Sequence, residues 1–146
     1  MEQRFETFTV LIGKISRNIK RIKTFQMAQL DLKGPHVSCL YYLYRGGPLT
    51  AAELCDRCEE DKGAISRSLD FLERNGYLTS QKEKKYKSPL ILTPKGAQAG
   101  REVSERVESV LELASQGLTP QEREIMYGAL EKISANLERL TESERK

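Results

Sequence analysis

Residues 50–96, TAAELCDRCEEDKGAISRSLDFLERNGYLTSQKEKKYKSPLILTPKG, decide the fold. They divide into two short capped helices, a hairpin with a cationic tip, and the start of another capped helix. Thr50 and Glu53 have the spacing of a capping box, with Leu49 and Leu54 placed as its hydrophobic staple. The helix they open is predicted to run to about Cys58. After a turn at Glu59-Glu60, Asp61 is placed to cap the next helix and Asn75-Gly76 to close it. That second helix has an apolar face at Ile65, Leu69 and Leu72, spaced i, i+4, i+7, while its other face carries Lys62, Gly63, Ser66, Arg67, Asp70 and Arg74. A helix that packs with one side and offers small, hydroxylated and cationic side chains on the other suits a DNA major groove. Residues 77–82 and 88–92 read as short extended segments joined by a tip rich in Lys82, Lys84, Lys85 and Lys87, side chains suited to phosphates. Pro89 cannot donate to a ladder, so its strand is expected at an edge or only partly paired. The prediction is a mainly α fold: a winged helix-turn-helix domain with a small β-hairpin wing.

Helical signals continue on both sides. Phe5, Phe8, Ile12, Ile15, Ile19 and Ile22 recur every three or four residues and mark a long amphipathic first helix that ends before Asp31 to Gly34. Pro35 opens a second helix, which Gly46-Gly47 terminates. Thr93-Pro94 caps a long helix with Val103, Val107, Val110, Leu111 and Ala114 on one face, and Gly117 ends it. Thr119-Pro120-Gln121-Glu122 combines a capping box with proline at the first helical position. The last helix shows Ile125, Ala129, Leu130, Ile133, Leu137 and Leu140. One domain of this size has limited core in which to bury three long helices, so the spare apolar stripes predict a helical dimer interface made by both chain ends. Residues 36–93 are expected to form the DNA-binding part, 1–33 and 94–141 the dimerisation helices, and 142–146 a charged, fraying tail.

At 146 residues the chain has room for one domain with a real core. Its 38% hydrophobic and 31% charged content fits a soluble, helical protein. The net charge of +3 says little, but its distribution says more. Residues 62–87 carry seven Lys/Arg against three acids, whereas residues 101–146 carry seven against ten. A cationic middle beside an acidic end fits a nucleic-acid face with a separate self-association face. The charged N-terminus lacks a signal-peptide run, and no window approaches ~18 uninterrupted apolar residues. A cytoplasmic protein without a membrane partner is therefore expected, its three cysteines reduced.

The pattern Leu49-Thr50-x-x-Glu53-Leu54, then Asp61-Lys62-x-x-Ile65-Ser66-Arg67-x-Leu69-x-x-Leu72-Glu73-x-x-Gly76-Tyr77-Leu78, then Leu92-Thr93-Pro94-Lys95-Gly96 resembles the MarR family of bacterial transcriptional regulators. In this order and spacing the pieces are specific, and the order of the flanking helices matches as well. The resemblance implies a homodimer that binds a double-stranded, pseudo-palindromic operator, in most cases as a repressor, and is released by a small-molecule effector or a redox signal. Lys62, Ser66 and Arg67 take the positions of the family's recognition-helix contacts. Glu83-Lys84-Lys85 matches the family's Asp-x-Arg wing, with lysine where the minor-groove arginine normally sits; the charge is kept and the planar fork lost. Gly63 replaces a more usual polar residue. The first helix has no cysteine, which removes the family's peroxide-sensing arrangement there.

Other constellations carry alternative readings. His36-x-x-Cys39 and Cys55-x-x-Cys58 supply four N/S ligands for a structural zinc site or a thiol sensor, but both pairs fall on helices, where cysteine packs as a small hydrophobe. Tyr41, Tyr42 and Tyr44 are placed to line an effector pocket with Arg17 or His36, or else to serve as core aromatics. With one histidine, no Gly-rich phosphate loop and no base beside Ser66 or Cys58, an enzyme is not expected, nor is a cofactor. A winged helix used to bind protein is the remaining alternative, and it would not need lysines on its wing.

Overall fold

Helix boundaries in the computed structural model follow the capping chemistry of the sequence. The structure describes residues 4–32, 34–58, 60–79 and 87–145. The expected wing residues Lys82, Lys84 and Lys85, and Glu59 of the predicted turn, lie outside them. Among the described residues the helices are α1 (Arg4–Ala28), α2 (Gly34–Gly46), α3 (Ala51–Cys58), α4 (Lys62–Arg74), α5 (Pro94–Ala114) and α6 (Pro120–Glu144). At the start of α3 the Glu53 N–H donates to Thr50 Oγ1 at 3.2 Å, and the Glu53 carboxylate accepts from the Thr50 N–H at 3.2 Å. The same reciprocal box opens α6 between Thr119 and Glu122. Each box satisfies backbone donors that a bare helix start leaves exposed.

The chain divides into two units, Met1–Val107 and Glu108–Lys146. In the first, α2 packs against α3 and α4, and α1 meets α2. Leu40, Leu54, Ile65, Leu72, Val37, Val103 and Cys39 are fully buried. Each large aliphatic side chain among them contributes roughly 1.5–3 kcal/mol by leaving water. Single antiparallel bridges join Leu49 to Leu90 and Leu78 to Leu92. The segment after Pro89 is thus the middle of three, paired at one residue pair on each side, which is the partial pairing the proline implies. α1 buries only Met27, leaving its predicted apolar stripe on the surface: Phe5 is 80% exposed, Ile15 53% and Ile19 50%.

In the second unit the chain turns after α5 through Ser115, whose N–H bonds the Leu111 carbonyl, and enters α6. α6 buries none of its residues, and Ile125, Leu137 and Leu140 are exposed. The tail expected to fray from residue 142 instead continues the helix to Glu144, because i−4 carbonyls remain available to those N–H groups. Among the described residues no helix is long and apolar enough to cross a membrane.

Candidate nucleic-acid interface

α4 is fastened at both ends. Asp61, in an extended conformation, accepts the Ala64 N–H on its carboxylate at 2.6 Å. This satisfies one free donor and places negative charge at the positive end of the helix. Ile65, Ser68, Leu69 and Leu72 are buried; the sequence pattern identified all of these except Ser68. Outward lie Lys62, Gly63, Arg67 and Arg74, all exposed, with Ser66 half-buried beside them. Spread over twelve residue steps, this face is about 18 Å long, close to the reach of a helix laid in a groove. A Cβ added at Gly63 would meet Arg67 Nη1 and Asp61 Oδ1, each at 3.2 Å. The bare glycine therefore lets the Arg67 side chain lie back along the first turn of α4. Arg74 donates from Nε to the Asp70 carbonyl at 3.4 Å, which holds it along the helix.

The end of α4 is locked by the segment that begins α5. Asn75 Nδ2 donates to the Phe71 carbonyl at 2.7 Å, and Gly76 turns the chain with φ +79°, a conformation that suits glycine. Thr93 Oγ1 donates to the Gly76 carbonyl at 2.5 Å and accepts the Gly96 N–H at 3.1 Å. The Thr93 N–H reaches the Tyr77 carbonyl at 3.1 Å. Lys95 donates to the Asn75 carbonyl at 2.7 Å, with its ammonium 4.4 Å from the centre of the Tyr77 ring. Gly96 lies so close to Tyr77 that a Cβ would come within 2.0 Å of its carbonyl oxygen. The Leu92-Thr93-Pro94-Lys95-Gly96 run is more than a family pattern. Its work is to position the outward helix, and Lys95 is a structural cation. Of the tip lysines, Lys87 is described and exposed.

The other candidates stand apart from this face. His36 stacks on Phe71 with ring centres 4.0 Å apart. Tyr41 and Tyr42 pack partly buried on the core, edge to face at 5.2 Å, and Arg17 is exposed on α1. A cavity of about 500 Å³ is lined by Tyr44, Gln98, Arg101 and Glu105, and another of about 500 Å³ by Lys20, Lys23, Met27, Leu32 and Glu60. None of Arg17, His36, Tyr41 and Tyr42 lines either one. Among the described residues no three His, Cys, Asp or Glu side chains come together to hold a metal. Cys39 is buried as expected of a core thiol, but Cys55 and Cys58 are only half-buried, because α3 is short and both lie toward its outer edge. The neighbouring Cys58 and burial raise the Cys39 thiol well above its ordinary range. Cys39, with help from Lys23, holds Cys58 below its ordinary value. Burial lowers Lys23 and raises Cys55.

Three helices around one apolar core, one of them with an outward cationic face, and three short segments joined by single antiparallel bridges define a winged helix-turn-helix fold. Residues 30–85 match the sequence model of the MarR family. That stretch carries the motifs quoted above, and there the chain is similar to the family, as its motifs suggested. It is 27% identical over 131 residues to an uncharacterised HTH-type transcriptional regulator, YybA of Bacillus subtilis (strain 168), covering 88% of this chain and 87% of that protein. A MarR family transcriptional regulator from Silicibacter pomeroyi superposes with a TM-score of 0.81 at 24% identity, covering 92% and 93% of the two chains. One from Listeria monocytogenes, solved in complex with a 26-mer DNA, gives 0.76 at 26% identity over 86% and 85%.

Proposed function

We propose that this chain is a homodimeric, sequence-specific DNA-binding transcriptional regulator, a repressor that binds a pseudo-palindromic operator and acts by binding rather than catalysis. The observation that carries this reading is the outward face of α4: Lys62, Gly63, Arg67 and Arg74 exposed on a helix capped by Asp61 and locked at Asn75-Gly76. Arg67 addresses guanine O6 and N7, and Ser66 a base or phosphate. Lys62, Arg74, Lys82, Lys84, Lys85 and Lys87 take phosphates, so affinity falls steeply with salt. The exposed apolar stripes of α1 and α6 support a second copy as their cover. Two-fold symmetry sets the two recognition helices about 34 Å apart, one turn of the duplex. A small molecule or a redox change that favours another spacing releases DNA, provided it prefers that state.

Selection from a random duplex pool, followed by anisotropy titrations of the winner at several salt concentrations, tests the reading. A pseudo-palindrome with half-sites about one turn apart, bound far more tightly than scrambled DNA, is the expected result. No enriched sequence, with weak and salt-insensitive binding, would reject it in favour of a protein partner.

A further inference from the structure

Gly63, Arg67, Asp70 and Arg74 form one stripe of α4, spaced i, i+4, i+7 and i+11, opposite the buried Ile65, Leu69 and Leu72. The arginine at its centre does not stand over its own Cα. Its Nη1 lies 3.2 Å, and its guanidinium carbon 4.0 Å, from the point where a Cβ of residue 63 would be. The head group thus occupies the side-chain space one turn N-terminal to the residue that carries it. Asp61 Oδ1 is also 3.2 Å from that point, so the carboxylate and the guanidinium are no more than twice that distance apart. Opposite charges this close favour the placement, and the carboxylate is itself fixed by the Ala64 N–H it accepts.

On the DNA-binding reading proposed above, we infer that Gly63 is a specificity-determining residue. By leaving its own side-chain space empty, it gives the base-reading position at the start of α4 to Arg67. A helix laid in the major groove brings its N-terminal residues to the base edges. Residues 63 and 67 are about 6 Å apart along the axis, and neighbouring base pairs about 3.4 Å apart. An arginine reading from beside its own Cα would therefore address a base about one to two steps away from the one opposite residue 63. Placed over Gly63, the same guanidinium meets guanine O6 and N7 at the leading end of the helix. Any side chain at 63 competes for this space. Alanine is the mildest case, because the far end of a flexible arginine can yield, whereas leucine fills the space outright. Arg74, on the same stripe, is not an equivalent reader, since its Nε is bonded to the Asp70 carbonyl at 3.4 Å near the other end of α4.

Affinity read base by base separates this role from a structural one. The duplex enriched by the wild-type chain is remade with each base pair replaced in turn. Anisotropy titrations then compare wild type, R67A, R67K, G63A, G63L and the double variant G63L/R67A. Wild type should prefer guanine roughly tenfold at one position in each half-site, and R67A should lose that preference. R67K keeps the charge without the planar fork, so it should lose the preference while holding its affinity for scrambled DNA. G63L should abolish the preference or move it by about one to two base pairs, and G63A should reduce it. In the double variant the leucine should change nothing further at that position. Alanine and leucine both favour a helix over glycine, and circular dichroism of each variant checks that α4 is kept. Should leucine disturb the Asp61 cap, G63A alone decides. Gly63 variants that keep the wild-type guanine preference would overturn the inference. So would an equal loss of affinity for every duplex, which would mean that the glycine only lets the backbone close on DNA. A wild-type chain that enriches no duplex would reject the regulator reading, and this inference with it.

Discussion

Replacing Gly96 with alanine measures how firmly the recognition helix is held. An alanine Cβ would stand 2.0 Å from the Tyr77 carbonyl oxygen, 2.9 Å from its carbon and 3.1 Å from Leu92 Cδ2. Carbon and oxygen settle no closer than about 3.3 Å, so the two backbones must part by more than ~1 Å. That displacement breaks the Thr93 N–H bond to Tyr77, now 3.1 Å, and stretches the Thr93 Oγ1 bond to Gly76, now 2.5 Å. Two weakened hydrogen bonds lose roughly 0.5–1.5 kcal/mol each, and the overpacked contact adds roughly 1–3 kcal/mol. Alanine's better helix propensity returns about 1 kcal/mol. The expected net loss is roughly 1–5 kcal/mol. Urea unfolding followed by circular dichroism, at one protein concentration because a dimer's stability depends on it, reads this loss as a fall in midpoint of roughly 1–3 M. Gly128, on α6 with nothing within 4 Å of its would-be Cβ, supplies the control. There alanine should add about 0.5–1 kcal/mol. A G96A midpoint equal to wild type would refute the close-packed clamp.

Four further outcomes are expected. Asp61→Ala removes the acceptor 2.6 Å from Ala64 N and should cost about 0.5–2 kcal/mol in the same urea assay. Arg67→Ala should lose roughly 1–3 kcal/mol of preference for operator over scrambled duplex while keeping most non-specific affinity, as read by anisotropy. Lys84→Ala with Lys85→Ala should instead weaken binding to every duplex and reduce the salt slope by about 2. Ile15→Glu, at a residue 53% exposed on the α1 stripe, should shift sedimentation equilibrium toward a single chain without loss of helix content.

The parts of this molecule that were legible in its sequence are those governed by neighbours in the chain. Capping at Thr50, Asp61, Thr93 and Thr119 needs only a side chain and backbone three residues away, so spacing alone announces it. The inward face of α4 follows from helical period. What spacing cannot convey is contact between distant segments. Lys95 reads as one more surface cation until Asn75 and Tyr77 are found beneath it. Gly96 has no local reason to be glycine inside a helix; it is one because the Tyr77 backbone presses on it. The bond from Lys23 to Ser38 joins segments too far apart for any local pattern to show. The charged residues after Thr141 carry no stop signal, and α6 runs on to Glu144.

The clamp between α4 and α5 also has a mechanical meaning. Thr93 and Gly96 grip Gly76 and Tyr77 through short contacts without a flexible spacer between the gripping atoms. A joint of this kind has almost no play. Rotation of α5 about its own axis is therefore passed to α4 and turns its outward face, as a tiller turns a rudder. Steering of this kind needs no hinge between the two helices, only a torque on α5.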